Sequence, residues 1–455
     1  MTTLAEPARP LPRTTRARPR LDAVGLRVLI AAGYVLAVVM WSLELPDGPV
    51  PPPSELARAV GELTGISAGY LTCPQLLLVA RVPWFERAVG LDRLVAWHRW
   101  LGTAVLTFVG IHVTCKVVGT MFLDGSVPWD AFVTVLTSFP DMVTALIGTL
   151  LFLAIGVSAV RRLRRLLSYE AWWLLHLTSY LAVYLTFLHE LSAGTHFIAN
   201  DWNRAAWIAL YVATAAALVI WRFVVPTLRA WRHRLRVVAV VPEGDGIVSI
   251  WFSGPRAHRL GVEAGNFLLV RFLARGHLLT AHPYSVSRMP DDGLLRITVG
   301  ASGDHSSRVK ELTKGTYAVV EGPYGRFTAD RVSRPRVVLI AGGAGIGPLR
   351  VIAEELVRRG LEPVLLYRAQ SSGRLALLGE LRRLPGLTVL PLVGRRSDLG
   401  WDPLSPAMLA SVLPRPHEWE AFLCGPEGMM RAVEGSLLAL GMPRRFIHRE
   451  TLSMS

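Results

Sequence analysis

Six apolar stretches in the first half of the chain constrain its fold more than any other feature. Asp, Glu, Lys and Arg are absent from residues 28–43, 63–80, 142–160, 171–189 and 205–221, and a sixth stretch, 94–118, is interrupted by Arg99 and Lys116. A helix needs ~20 apolar residues to cross ~30 Å of hydrocarbon, so the sequence predicts six transmembrane helices. Composition agrees: 51% of the 455 residues are hydrophobic, yet the net charge is +15. Both hold only if apolar and basic residues are segregated, as in a membrane protein with a basic inner face.

The basic residues orient the bundle. Arg9, Arg13, Arg16, Arg18, Arg20 and Arg27 precede or open the first span; Arg161, Arg162, Arg164 and Arg165 separate the fourth from the fifth; Arg222, Arg229, Arg232, Arg234 and Arg236 follow the sixth. The connections 117–141 and 190–203 carry no Lys or Arg. The positive-inside rule then places both termini in the cytoplasm of a plasma (inner) membrane protein. Inner-leaflet topology accounts for the Arg clusters without nucleic acid. The Arg- and Pro-rich leader lacks a small-residue cleavage site, so the first span is expected to be retained. Three cysteines, Cys73, Cys115 and Cys424, give no disulfide framework. Nothing in the sequence addresses oligomeric state.

Past residue 226 the pattern changes. Short β-branched runs such as "RLRVVAVV", "GIVSIWFS" and "LLRITVG" alternate with Gly, Pro and Asp turns, which predicts a small antiparallel barrel. From "RPRVVLIAGGAGIGPLRVIAEELVRRG" onward, strand, glycine turn and helix alternate in the βαβ rhythm of a parallel nucleotide-binding sheet. The expected organisation is multidomain: a tail over 1–24, a six-helix transmembrane bundle over 25–226, an antiparallel β-barrel over 227–333 and an α/β parallel-sheet domain over 334–455. The Pro-rich segment 46–58 is expected to be an outer loop.

Four histidines give the bundle a chemistry. His98 and His112 lie fourteen residues apart in the third span, His176 and His189 thirteen apart in the fifth. At ~1.5 Å per residue these separations are about 21 and 19.5 Å. Both spans run outward, so the histidines pair at two matched depths. A lone histidine in such a run is commonly a satisfied core residue, but two pairs at matched depth can ligate two stacked haems. On an ideal helix fourteen steps return nearly to one face, whereas thirteen leave the rings roughly 140° apart. Either the fifth helix is distorted or its two rings approach from different sides. Arg99 and Lys116 either snorkel to headgroups or pair with haem propionates. His196 and Asp201, in the last outer loop, either touch an electron acceptor or are solvated.

"LDRLVAWHRWLG" and the two histidine spacings resemble the ferric reductase-like transmembrane domain shared by NADPH oxidases and ferric reductases. The resemblance implies two b-type haems, the inner held by His98 and His176 and the outer by His112 and His189.

The soluble half resembles the ferredoxin reductase superfamily, motif by motif. In "HPYSVS" (282–287), Tyr284 can face a flavin ring and Ser285 bring a hydroxyl near its N5; His282 stands where many relatives have Arg, and Pro283 completes the motif. "GASGDHSSRVKEL" (300–312) resembles the segment holding flavin phosphate, with Ser306 and Arg308 as its contacts. "EGPYGRF" (321–327), with Gly322, resembles the turn closing the flavin domain. "LIAGGAGIGPLR" (339–350), with Gly342, Gly343, Gly345 and Gly347, resembles the nicotinamide loop, where backbone N–H groups and a helix N-terminus cradle a pyrophosphate. "FLCGPEGMM" (422–430) resembles the later element whose Cys424, Gly425 and Pro426 lie near the reacting nicotinamide carbon.

Arg368 and Arg374 favour NADPH over NADH, since a 2′-phosphate seeks cations after the second strand of such a sheet. Relatives end on an aromatic covering the flavin; here "HRETLSMS" offers only Leu452 or Met454.

The resemblance implies electrons passing from NADPH through FAD and two haems to a small-molecule or metal-chelate acceptor outside. Asp124, Asp130 and Glu190 in the outer loops form no metal-binding cluster, which favours dioxygen, giving superoxide, over ferric or cupric chelates, a quinone or a periplasmic partner. A rival reading makes the membrane half a transporter or passive anchor beside an independent reductase.

Overall fold

The structure is a computed structural model describing residues 22–43, 52–278, 281–300 and 308–450. Ser306, Leu452 and Met454 lie outside the described residues. These residues form two compact units, one ending at Phe223 and the other beginning at Val224.

The first unit is helical. Its elements are α1 (Ala23–Ser42), α2 (Pro53–Val79), α3 (Pro83–Val89), α4 (Leu91–Asp124), α5 (Pro128–Ser138), α6 (Met142–Ala159), α7 (Arg161–Arg164), α8 (Tyr169–Ala193), α9 (Thr195–Ile198) and α10 (Asp201–Val219). Asp22 caps α1, its side chain accepting from Gly25 N–H at 2.7 Å, which satisfies one of the helix's orphan donors. Helix α2 begins inside the segment expected to be loop, because Pro53 at the first turn gives up no hydrogen bond the helix needs. After α10 a π turn (Ile220–Val224) leads into α11 (Val225–His233) of the second unit.

Among the described residues five helical spans, the last running from α10 through the π turn into α11, are long and apolar enough to cross a membrane; α2 reaches that standard only together with α3, to which it is bent by 86°. Apolar side chains face outward on them, among them Leu36, Leu153 and Val212, the surface a hydrocarbon solvent requires. Trp100, Trp129 and Trp202 are also exposed, as amphipathic rings are at a membrane interface. The chain is an integral membrane protein.

The second unit carries two sheets. The first is antiparallel, in the order β1-β2-β5-β4-β3-β6, from β1 (Arg236–Gly244), β2 (Ile247–Ser253), β3 (Phe267–Phe272), β4 (His282–Arg288), β5 (Leu294–Gly300) and β6 (Ala318–Tyr324). Asp245-Gly246 turns β1 into β2, Gly246 taking the positive φ such a hairpin needs. A bridge between Arg236 and Tyr317 joins β1 to the approach of β6 and closes the sheet into a barrel. Ile250, Phe252, Leu268, Val270, Phe272, Val286 and Ile297 fill it, alternate residues of each strand pointing inward.

The second sheet is wholly parallel, in the order β11-β10-β7-β8-β9, from β7 (Arg336–Gly342), β8 (Val364–Ala369), β9 (Thr388–Val393), β10 (Trp419–Cys424) and β11 (Ile447–Glu450). Helices α12 (Ile346–Arg358), α13 (Leu378–Leu381), α14 (Arg396–Leu399), α15 (Pro406–Val412) and α16 (Glu427–Ala439) accompany it. Strand β7 is buried from Val337 to Gly342, as expected of a central parallel strand covered on both faces. Strand order reverses between β7 and β10, and ligands of open α/β sheets bind beyond the carboxyl ends of the strands at such a switch point.

Candidate functional site

In the helical unit the four histidines meet in pairs. The ring centres of His98 and His176 are 6.0 Å apart, and those of His112 and His189 are 6.4 Å apart. Two metal–imidazole bonds of ~2 Å in line, plus the ring radii, place two centroids ~6.3 Å apart. Helix α8 runs unbroken from Tyr169 to Ala193, so its two rings reach their partners from different sides of a continuous helix rather than through a distortion.

Carbonyls of α2 orient both α4 histidines. His98 Nδ1 donates to the Gln75 carbonyl at 3.0 Å and His112 Nδ1 to the Gly61 carbonyl at 2.7 Å. Each bond settles the tautomer and leaves the Nε2 lone pair free for a metal, the arrangement by which ligating histidines are held. On α8, His176 stacks on Trp172 with centroids 5.1 Å apart. His189 Nδ1 is buried and has no hydrogen-bond partner among the described residues.

Small residues let α4 approach. A Cβ on Gly65 would lie 2.7 Å from His112 Nδ1, and one on Gly61 would lie 3.3 Å from the Cβ of Cys115. Together with Gly69, whose added Cβ would meet Trp207 at 2.8 Å, these residues form a G-x-x-x-G-x-x-x-G ladder. That spacing was visible in the sequence as a close-packing signal, though the histidine spacing did not point to it. The outer pair borders a cavity of about 430 Å³ also lined by Gly65, Val109, Thr186 and His196. Among the described residues no group of three or more His, Cys, Asp or Glu is arranged to hold a metal ion.

The polar residues near the outer pair are already engaged. Lys116 Nζ lies 3.2 Å from Glu62 Oε1 and His196 Nε2 lies 3.3 Å from Glu62 Oε2. His196 is buried rather than solvated, while Asp201 is exposed at the start of α10. Glu190, expected in an outer loop, belongs to α8 and accepts from Trp207 Nε1 at 2.7 Å and the Tyr211 hydroxyl at 3.3 Å.

In the soluble unit, two motifs far apart in sequence meet at the switch point. Gly342 ends β7 and Cys424 ends β10. A Cβ on Gly345 would sit 2.1 Å from the Cys424 carbonyl oxygen, and one on Gly425 would sit 3.0 Å from Gly342 Cα. Only glycines permit this approach of backbones, while Gly343 faces open space with φ +55. Pro426 precedes α16. The Cys424 thiol is fully buried, and burial holds its pKa well above the ordinary value, so it stays protonated.

On β4, His282 and Pro283 are half-buried, and Tyr284 and Ser285 are buried. The Tyr284 hydroxyl has no hydrogen-bond partner among the described residues, and burial raises its pKa. An unpartnered buried hydroxyl is costly, which is the condition a polar ligand at this strand would relieve. Arg308 is exposed, its guanidinium 3.5 Å from where a Cβ on Gly276 would be. Gly322, at φ +120, accepts at its carbonyl from Arg229. Arg368 Nη1 donates to the carbonyls of Ala369 (2.6 Å) and Leu392 (2.9 Å), whereas Arg374 is exposed and reaches Gln370 Oε1 at 3.3 Å.

A charged network that motif reading did not find ties barrel to parallel sheet. Arg296 of β5, 1% exposed, grips both oxygens of Glu380 on α13 at 2.6 and 2.9 Å, and Arg350 of α12 reaches Glu380 Oε2 at 2.8 Å. Burial alone would raise the Glu380 carboxyl, but the guanidinium groups outweigh it and hold it below the usual range.

Residues 64–187 match the ferric reductase-like transmembrane component family. The stachydrine N-demethylase reductase subunit of Rhizobium meliloti is 27% identical over 48% of this chain and 66% of its own length. Ferric reduction oxidase 7 of Arabidopsis thaliana is 24% identical over 66% of this chain and 41% of its own. Among solved structures, the flavohem-like FAD/NAD-binding domain of Vibrio cholerae nitric oxide dioxygenase is 22% identical with a TM-score of 0.42, over 48% of this chain and 98% of that one. The chain spans less than two thirds of the length of these curated relatives. The chain carries a ferric reductase-like transmembrane domain, and its C-terminal half is similar to ferredoxin reductase components of oxygenase systems.

Proposed function

We propose that the protein is a transmembrane oxidoreductase in which hydride from cytoplasmic NADPH reduces FAD, and single electrons then reach an outer acceptor by way of two b-type haems. The observation that carries this reading is the spacing of the two histidine pairs, 6.0 and 6.4 Å between ring centres, with carbonyls of α2 holding the Nδ1 atoms of His98 and His112 so that their Nε2 atoms face the partner rings' side. His98 with His176 would hold the inner haem and His112 with His189 the outer one. Iron in such bis-imidazole sites changes by one electron without exchanging ligands. The protein's own contribution is to orient four imidazoles and exclude water from them.

In the soluble half, Gly342, Gly343, Gly345 and Gly347 present backbone N–H groups at the start of α12 to a pyrophosphate. When bound, the nicotinamide would lie beside Cys424, Gly425 and Pro426 and the flavin beside Tyr284 and Ser285, with Arg308 as a phosphate partner and Ser306 added by the sequence resemblance alone. Arg374, which follows β8 and is more exposed than Arg368 on that strand, is the residue for a 2′-phosphate.

Dioxygen, giving superoxide, is the acceptor of the first reading. The similarity to a ferric reduction oxidase favours ferric chelates as the second. Dismutase-sensitive dye reduction with oxygen uptake is expected for the first, and Fe(II) formation without oxygen for the second.

The decisive experiment is a reduced-minus-oxidised spectrum of the purified protein, with haem quantified as pyridine haemochrome, using dithionite and then NADPH. Two b-type haems per chain, both reduced by NADPH, are expected. His112→Ala is expected to keep flavin reduction and lose outward transfer. Absence of haem despite bound FAD and ample haem supply, or full outward activity in His112→Ala, would sink the conduit and leave an anchored reductase.

A further inference from the structure

Both arginines that grip Glu380 also hold the backbone of the flavin strand. Arg296 Nη2 and Arg350 Nη1 each donate to the Ser287 carbonyl at 3.1 Å, and Arg296 Nε donates to Ser287 Oγ at 3.1 Å. Ser287 lies two residues beyond Ser285 on β4, and Arg350 one helical turn beyond Gly347 on α12. The glycine turn packs on the same place: a Cβ on Gly347 would lie 3.7 Å from the Cβ atoms of Ser287 and Thr298. Thr298 donates to Ser287 Oγ at 2.7 Å and pairs with Ser249 at 3.0 Å, so the serine is held from the barrel side as well. Glu380 is the only carboxylate that Arg296 reaches among the described residues.

We propose that Glu380 is a positioning residue for hydride transfer: with Arg296 and Arg350 it clamps the flavin strand to the helix of the nicotinamide loop and so sets the separation of the two rings. The assignment rests on the FAD and nicotinamide reading above. Hydride, two electrons with one proton, passes between rings that must be held within a few tenths of an ångström, and a ~1 Å misplacement can cost about 100-fold in rate. A bidentate guanidinium–carboxylate fork resists such sliding better than apolar packing, because it is directional. The network acts through Ser287 and through α12.

The test is anaerobic stopped-flow bleaching of the flavin by NADPH in the full-length, FAD-loaded protein, comparing wild type with Glu380→Gln, Glu380→Asp and Arg350→Lys. Glu380→Gln is expected to lower the limiting rate at saturating NADPH by ~10- to 100-fold, with FAD content and the NADPH dissociation constant little changed. Glu380→Asp should recover part of the loss. A residue with only a structural role would change thermal stability and FAD content while leaving the limiting rate of the loaded fraction intact. Should Glu380→Gln fail to accumulate folded, Arg350→Lys, which keeps the charge but cannot hold Glu380 and the Ser287 carbonyl together, carries the same expectation. Wild-type limiting rates in the loaded variants would overturn the clamp alone. Wild-type protein that takes up no FAD, or whose FAD is not bleached by NADPH, would overturn the functional reading and the clamp with it.

Discussion

Gly65 shows how much of the bundle's chemistry hangs on an absent side chain. Its Cα faces the imidazole that donates to Gly61 one turn earlier, and a single methyl group there would fall 2.7 Å from His112 Nδ1. Neither atom can yield cheaply, since both belong to packed helices. On the two-haem proposal, Gly65→Ala is therefore expected to displace the His112 ring and bring haem content from two per chain toward one, with the His98–His176 site spared. Pyridine haemochrome and a redox titration resolving the two haems check this; unchanged haem content would separate the glycine ladder from ligand placement. The same logic applies at Gly345, which meets a backbone carbonyl, and not at Gly343, which faces open space.

At the scale of elements, a buried polar cluster joins β10, β11 and the segment before β7. Glu420, 1% exposed, accepts from His448 Nε2 at 2.6 Å, from Ser333 N–H at 2.7 Å and from Arg334 N–H at 3.1 Å. Burial would raise the Glu420 carboxyl, but the hydrogen bond from His448 and those from Ser333 outweigh it and hold its pKa below the ordinary value. A carboxyl depressed in the folded state contributes stability that is complete above its unfolded value, ~4.3, and is lost as pH falls through the folded value. The soluble half is thus expected to lose stability on acidification below about pH 4.3, and Glu420→Ala to remove that part of the pH dependence. The substitution also leaves the buried His448 Nε2 without its acceptor, at a cost of roughly 1–3 kcal/mol. Chemical denaturation followed by flavin fluorescence between pH 3 and 7 measures both effects; equal slopes with pH in the two proteins would exclude Glu420 as the source.

For the whole molecule, basic residues set the expected topology. With Cys115 replaced by Ala, Asp124→Cys at the end of α4 is expected to react with an impermeant maleimide on intact cells, whereas Arg162→Cys between α6 and α8 should react only after permeabilisation. The reverse pattern would invert the bundle and, with it, the direction of electron flow.

Much of this architecture was legible in the sequence, for a physical reason. Spans, turns and strands follow from the local solvent demands of the chain: apolar runs long enough for hydrocarbon, alternation for a half-buried sheet, glycines where backbones must turn or touch. The four histidines were legible because depth along a helix is linear in residue number, so a spacing carries over directly into a level. What only the tertiary structure decided are relations between residues remote in sequence. The carbonyls of Gly61 and Gln75 orient His112 and His98, α8 delivers both its rings without a break, and Glu190 and His196 turn inward to partners. Arg296, Glu380 and Arg350 converge on Ser287. Such contacts depend on azimuth and on which elements become neighbours, and those are set by packing of the whole fold rather than by any local pattern.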